Sequence, residues 1–166
     1  IQAHEMAHQW HGDLVTMGWW DDIWLNESFA SWRGAAETDM RHPNWHWWEA
    51  QDETKESAMR ADARVNSHPI EQQVTDELQA VNVFDPEITY NKGQAVLRML
   101  EAYLGPDRFR DGVRRLLKAH AYSNANSADL WNALSAASGR NVSEIAASWT
   151  EQPGFPVVSV TAQCDS

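Results

Sequence analysis

The sequence predicts a mainly α-helical fold. Apolar residues recur three and four positions apart in several segments, which is the spacing that places them on one face of a helix. Glycine or proline stands where such segments should end, as at Gly105 and Pro106. With 166 residues, of which 43% are hydrophobic and 22% charged, the chain has the size and composition of about one globular domain.

Three helices are expected in the first 64 residues. Their ranges are 2–11, 22–40 and 43–64. Gly12 is well placed to end the first helix, and Pro43 fits the first turn of the third. A loop rich in glycine and tryptophan joins the first two helices. The stretch from residue 66 to residue 89 is mixed in pattern, and the longest irregular segment is expected there.

Four more helices are expected further along the chain. Tyr90 opens the first of them, with one apolar stripe formed by Val96, Leu97, Leu100 and Leu104. After the break at Gly105-Pro106 the pattern repeats with Phe109, Val113, Leu116 and Leu117. Ser127 is expected to cap a helix that ends at Gly139, and Ser143 is expected to cap the last helix.

The ends of the sequence predict that it is a piece of a longer protein. The first motif starts three residues into the chain. Residues 153–156, Pro-Gly-Phe-Pro, stop the helical pattern, and the strand-like run Val157–Val160 has nothing to pair against. We therefore expect a helical unit over residues 1–152, followed by a linker and the first strand of a missing β domain over residues 153–166.

Composition excludes several classes of function. The net charge of -11 argues against a nucleic-acid surface, which needs clustered Lys and Arg. A solvated exterior explains this charge most simply, and attraction of a cationic substrate is the alternative. No apolar run approaches the roughly 20 residues of a transmembrane segment, and we expect any signal peptide to lie in the missing part of the longer protein. Cys164 is the single cysteine, so no internal disulfide is possible and the redox compartment stays open. The localisation is not predicted, because the N-terminal part is expected to be missing.

The residues that indicate chemistry begin at His4. His4-Glu5-Met6-Ala7-His8 is an H-E-x-x-H pattern, and residues four apart lie on one face of a helix, where both imidazoles can reach one ion. Glu5 is rotated by about 100° from His4, beside the ion, where it could take a proton from water. A helical histidine pair is often merely solvated, so the pattern alone leaves both interpretations open.

A catalytic zinc ion usually has three protein ligands, and His11 is a poor choice for the third. It lies about 10.5 Å along the helix axis from His4, at 1.5 Å per residue. Zn–N bonds are about 2.0–2.1 Å long, so three ligands on one straight helix cannot converge. We expect His11 to pack or to form a hydrogen bond, and the third ligand to come from another element.

A second motif follows eighteen residues after His8. Glu27 lies within Asn26-Glu27-Ser28-Phe29-Ala30. An H-E-x-x-H pattern followed at this interval by an N-E-G-F-A-like run resembles the M1 family of zinc aminopeptidases, which belongs to the gluzincin clan. Ser28 stands where that family usually has glycine.

The resemblance extends over nearly the whole chain. Further segments that are similar to those of the M1 family, in the same order, are Val15-Thr16-Met17, Trp20 to Trp24, Ser67-His68-Pro69-Ile70, Tyr90-Asn91-Lys92-Gly93, and Trp149-Thr150-Glu151-Gln152 through Val158. The resemblance implies the helical part of a thermolysin-like (gluzincin) catalytic domain with a short C-terminal strand-like segment. It also implies that the remaining domains belong to the same polypeptide.

The resemblance further implies the roles of individual residues. His4, His8 and Glu27 would bind one Zn²⁺ ion, Glu5 would be the general base, and the phenol of Tyr90 would stabilise the oxyanion. The expected activity is that of a zinc metallopeptidase, an aminopeptidase that removes N-terminal residues from peptide substrates with zinc-activated water.

The family's G-x-M-E-N-type segment, which recognises the substrate amine, has no counterpart in this sequence. The substrate-binding residues and side-chain preference are therefore not predicted.

Two alternatives to an aminopeptidase stay open. One branch of the family hydrolyses epoxides on the same zinc site, and a non-catalytic relative could keep the fold alone. The isolated chain is expected to be inactive or weakly active.

Overall fold

A computed structural model describes residues 1–163. In these residues the fold is mainly helical, as predicted, with one two-stranded parallel sheet. The elements in chain order are α1 (Gln2–Ala7), β1 (Val15–Met17), α2 (Trp24–Arg41), α3 (Trp47–Asp62), α4 (Gly93–Leu104), α5 (Pro106–Ala119), β2 (Ser123–Ala125), α6 (Ser127–Ser138) and α7 (Val142–Thr150).

The core is built around α2. Trp24 and Phe29 on this helix are fully buried, and the Trp24 ring stacks on Trp131 of α6 with 5.4 Å between centroids. Further along α2, Trp32 meets Phe109 of α5 edge to face at 5.2 Å. Aromatic pairs in these arrangements contribute beyond the apolar area that they bury. They fix α2 against the C-terminal helices α5 and α6.

Helix α1 is shorter than predicted. It ends at Ala7, and the predicted helix over 2–11 is wrong in its last turn. The chain turns there because Gly12, at φ 139°, donates its N–H to the Val15 carbonyl oxygen, and His11 forms an isolated bridge with Val15. The following strand β1 was not predicted. It pairs with β2 from Val15 to Met17, and its partner lies far along the sequence.

The later helices follow the predicted apolar stripes. Val96, Leu97, Leu100 and Leu104 of α4 are all buried, and so are Phe109, Val113 and Leu116 of α5. Two predicted caps are wrong by one or two residues. Asn126 caps α6 in a capping box with Asp129, and α7 begins at Val142 after Asn141. The Asn126 side chain accepts a hydrogen bond from the Asp129 N–H, and the Asp129 carboxylate accepts one from the Asn126 N–H. Asn126 is therefore the cap, and Ser127 is the first residue of the helix.

Tyr90 does not open an α-helix. It lies in a π-helix, Pro86–Lys92, which continues directly into α4. The Asp85 carboxylate caps this π-helix by accepting hydrogen bonds from the N–H groups of Glu87 (2.7 Å) and Ile88 (3.1 Å). The irregular segment before it contains a 3₁₀ helix, Glu77–Val83.

A buried ion pair ties the π-helix to α3. Lys92 Nζ lies 2.9 Å from Asp62 Oδ2, and both side chains are almost completely buried. Asp62 Oδ1 accepts hydrogen bonds from Ser67 Oγ (2.6 Å) and from the Gly154 N–H (2.8 Å). Burial alone would raise the pKa of Asp62, but these hydrogen bonds and Lys92 outweigh it and lower the pKa below its ordinary value.

The residues after α7 lie on the surface. Val157, Val158 and Val160 are exposed, and residues 155–163 form neither helix nor strand. A strand is stable only when its backbone groups pair with a neighbouring strand, and none pairs with this segment among the described residues. The predicted strand and the domain division at residue 153 therefore stay predictions. Cys164 lies outside the described residues. Among residues 1–163 no helix is both long and apolar enough to span a bilayer.

The Asp62–Lys92 pair generates a stability prediction. Asp62→Asn should lower the free energy of unfolding of the chain by about 3–5 kcal/mol at pH 7, because Lys92 stays buried without a countercharge. The depressed pKa of Asp62 means that its stabilisation is present above the unfolded-state pKa and is lost as pH falls through the folded-state pKa. Urea titrations at pH 7 and at acidic pH measure both effects.

Asp52→Asn is the matched control. Asp52 pairs with Lys55 at 2.6 Å, but both side chains are at least half exposed, so the loss should stay below about 1 kcal/mol. Equal losses for the two variants would show that burial of the Asp62–Lys92 pair has no energetic consequence.

Candidate metal centre

Three side chains converge on one point: one from α1, one from the residue that directly follows α1, and one from α2. His4 Nε2 and His8 Nε2 are 3.2 Å apart, and Glu27 Oε2 lies 3.3 Å from the first nitrogen and 3.4 Å from the second. All three side chains are partly buried, with 13% of Glu27 exposed. Within the described part of the chain, this is the group of His, Cys, Asp and Glu residues whose arrangement could hold a metal ion.

The size of this triangle fits a zinc ion. Ligands at about 2.0–2.1 Å in a tetrahedron are about 3.3–3.4 Å from one another, which follows from the tetrahedral angle. The three measured edges agree with that value. The donor set of two imidazoles and one carboxylate is a catalytic zinc set that leaves a fourth position for water or substrate.

The close approach of α1 to α2 produces the triangle. Gly34 of α2 has no side chain where a Cβ atom would lie 3.1 Å from the His4 backbone nitrogen. The H-E-x-x-H spacing then directs both imidazoles toward α2, since residues four apart share a helix face. Glu27 lies in the first turn of α2 and reaches the same point.

Hydrogen bonds outside the triangle orient the two imidazoles. His8 Nδ1 lies 2.9 Å from the His11 carbonyl oxygen. Because a carbonyl oxygen can only accept a hydrogen bond, Nδ1 carries the proton. In the neutral ring Nε2 is then unprotonated and free to bind a metal ion. Ser31 Oγ lies 3.3 Å from His4 Nδ1. Such outer partners fix the ring orientation of metal-binding histidines. Sequence reasoning missed Ser31, although its position one turn after Glu27 could have indicated it.

His11 packs, as expected, and is not part of the triangle. Its ring stacks on Phe29 with 4.5 Å between centroids, and the residue is buried. Burial lowers the pKa of His11 to about 3, and the charges of Arg33 and His8 act in the same direction. His11 is therefore neutral at physiological pH.

Tyr90 lies beside the triangle. Its ring stacks on His4 with 6.0 Å between centroids. Burial is the main cause that raises the pKa of Tyr90 to about 12, and the charge of Glu27, a hydrogen bond to Glu27 and the charge of Glu5 contribute to the same rise. The phenol therefore stays protonated as a donor. Glu5, which directly follows His4 on α1, is exposed.

The fold and the centre define a class of protein: a helical domain with two histidines and a glutamate arranged so that they could hold a metal ion. The family described as Peptidase family M1 domain matches residues 1–149. The chain belongs to Peptidase family M1.

Curated relatives agree with this membership. The chain is 48% identical to Aminopeptidase M1 of Arabidopsis thaliana over 160 residues, which are 96% of this chain and 18% of that protein. It is 44% identical to Leucyl aminopeptidase of Saccharolobus solfataricus over 163 residues, or 97% of this chain and 20% of the other. Tricorn protease-interacting factor F2 of Thermoplasma volcanium is 46% identical over 160 residues, or 95% and 20%. The chain thus spans about a fifth of these relatives.

Proposed function

We propose that this chain is the zinc-binding helical part of an aminopeptidase that hydrolyses the N-terminal peptide bond of peptide substrates. The triangle of His4, His8 and Glu27, with edges of 3.2–3.4 Å, carries the proposal. When bound, a zinc ion supplies Lewis-acid chemistry and lowers the pKa of water. The names of the relatives support the aminopeptidase class.

Glu5 is the proposed general base. It follows His4 directly on α1, so its side chain leaves the helix about 100° away from the two imidazoles and does not compete with them. Its exposed carboxylate is open to water and substrate. In this role Glu5 accepts the proton of the attacking water and transfers it to the leaving amine.

Tyr90 is the proposed donor to the oxyanion. Its protonated phenol lies at the edge of the centre, against Glu27. A carbonyl that water attacks develops negative charge on oxygen, and a donor already in place stabilises that charge without reorganisation. The raised pKa keeps the proton on Tyr90, so the group donates a hydrogen bond and does not ionise.

Glu5→Gln in the intact protein should retain about one zinc ion per chain and lower kcat by roughly 10²–10⁴-fold, because the amide cannot accept the proton. Hydrolysis of an aminoacyl anilide and metal analysis measure the two effects. Glu53→Gln, at an exposed position on α3, is the control and should leave both unchanged. Nearly full turnover by Glu5→Gln would mean that another group activates the water.

Tyr90→Phe should lower kcat by roughly 10²–10³-fold and change KM much less, because the phenol acts mainly in the transition state. Tyr103→Phe is a matched control. Tyr103 is on the exposed side of α4, where the Arg140 guanidinium lies 4.4 Å from its ring centroid, far from any role in the reaction. A change confined to KM would assign Tyr90 to ground-state binding.

The isolated 166-residue chain should bind zinc more weakly than the intact protein and hydrolyse aminoacyl anilides poorly. Two ligands depend on α1, a six-residue helix that needs packing for stability. The relatives are about five times longer, so much of the natural packing surface and cleft lies outside this chain. Zinc titration and kcat/KM measurement compare the two proteins. Equal values would show that these residues form a self-sufficient enzyme.

A further inference from the structure

A buried hydrogen bond joins the two elements that carry the proposed functional residues. Ser28 is completely buried directly after Glu27 on α2, and its Oγ donates to the Thr89 carbonyl oxygen at 2.5 Å. Thr89 directly precedes Tyr90 in the π-helix. One side-chain hydrogen bond therefore connects the neighbour of a proposed metal ligand with the neighbour of the proposed oxyanion donor.

The Thr89 end of this bond is itself anchored. Thr89 is buried, and its Oγ1 donates to the Val83 carbonyl oxygen at 2.6 Å. The turn around Thr89 and Tyr90 is wide, since the Gly93 N–H reaches back to the Ile88 carbonyl oxygen. Turns of this π-type are uncommon and occur frequently at functional sites. Ser28 supplies a contact from α2 that holds this one.

Gly93 is the residue that leaves space for the Ser28 side chain. A Cβ atom on Gly93 would lie 1.9 Å from Ser28 Oγ and 2.7 Å from Ser28 Cβ, which no packing adjustment of a side chain end would relieve. Gly93 therefore lets α2 and the start of α4 approach closely enough for the bond to Thr89. Ser28 is also the residue at which this chain departs from the usual glycine of the M1 pattern.

We propose that Ser28 is a positioning residue, whose hydroxyl holds the Thr89 carbonyl and thereby sets the position of the Tyr90 phenol relative to Glu27. The inference rests on the proposed function of Tyr90. The Ser28 hydroxyl donates to Thr89, so we expect it to act on the rate through Tyr90 and to leave metal binding intact.

A double-mutant cycle in the intact, zinc-loaded protein tests this role. Ser28→Ala removes the hydroxyl and keeps Cβ, and it should lower kcat roughly three- to tenfold, the range of one lost neutral hydrogen bond, with KM and zinc content little changed. In a Tyr90→Phe background the same substitution should have no further effect on kcat. Ser28→Gly, which also lacks the hydroxyl, should behave alike and replaces Ser28→Ala if that variant folds poorly.

Ser138→Ala is the control. Its Oγ donates to the Leu134 carbonyl oxygen at 2.7 Å within α6, away from the centre, and kcat should not change. An unchanged kcat in both Ser28 variants, or the same loss with and without the phenol, would overturn the positioning role. A Tyr90→Phe enzyme with full kcat would instead refute the function proposed for Tyr90, and the positioning role with it.

Discussion

The close packing of α1 against α2 is the constraint on which the centre depends. Each helix alone supplies ligands that point in a useful direction, but the triangle exists only because Gly34 lets the His4 backbone approach α2. The turn after α1 is held by His11, whose ring stacks on Phe29 of α2. The His11 carbonyl oxygen in turn accepts the hydrogen bond that orients His8. The apolar core and the orientation of His4, His8 and Glu27 therefore depend on the same helix packing, and a change in either helix would alter the triangle.

A second group of contacts sets the position of the π-helix. The Lys92–Asp62 ion pair fixes its C-terminal end against α3, the Asp85 carboxylate caps its start, and Ser28 holds its middle at Thr89. Turns of this kind are uncommon and occur frequently at functional sites. Here contacts with α2 and α3 hold the segment that carries the Tyr90 phenol.

Local patterns made the helices and the first part of the centre predictable. The stripes of α4 and α5 and the pairing of His4 with His8 depend on residues three or four apart, so sequence spacing reports them directly. Glu27 and Tyr90 were assigned through resemblance to the M1 family, and the structure brings both beside the histidines. The parallel pairing of β1 with β2, the π-helix and the bond from Ser28 to Thr89 join distant residues, and no local pattern indicates such contacts.

X-ray absorption at the zinc edge of the intact, zinc-loaded protein tests the central claim most directly. We expect one zinc ion per chain with two imidazole nitrogens and at least one carboxylate oxygen at about 2.0–2.1 Å. Glu27→Ala should remove the carboxylate contribution and leave the imidazole signals. A sulfur ligand, a third imidazole, or an unchanged spectrum in Glu27→Ala would contradict a centre formed by His4, His8 and Glu27.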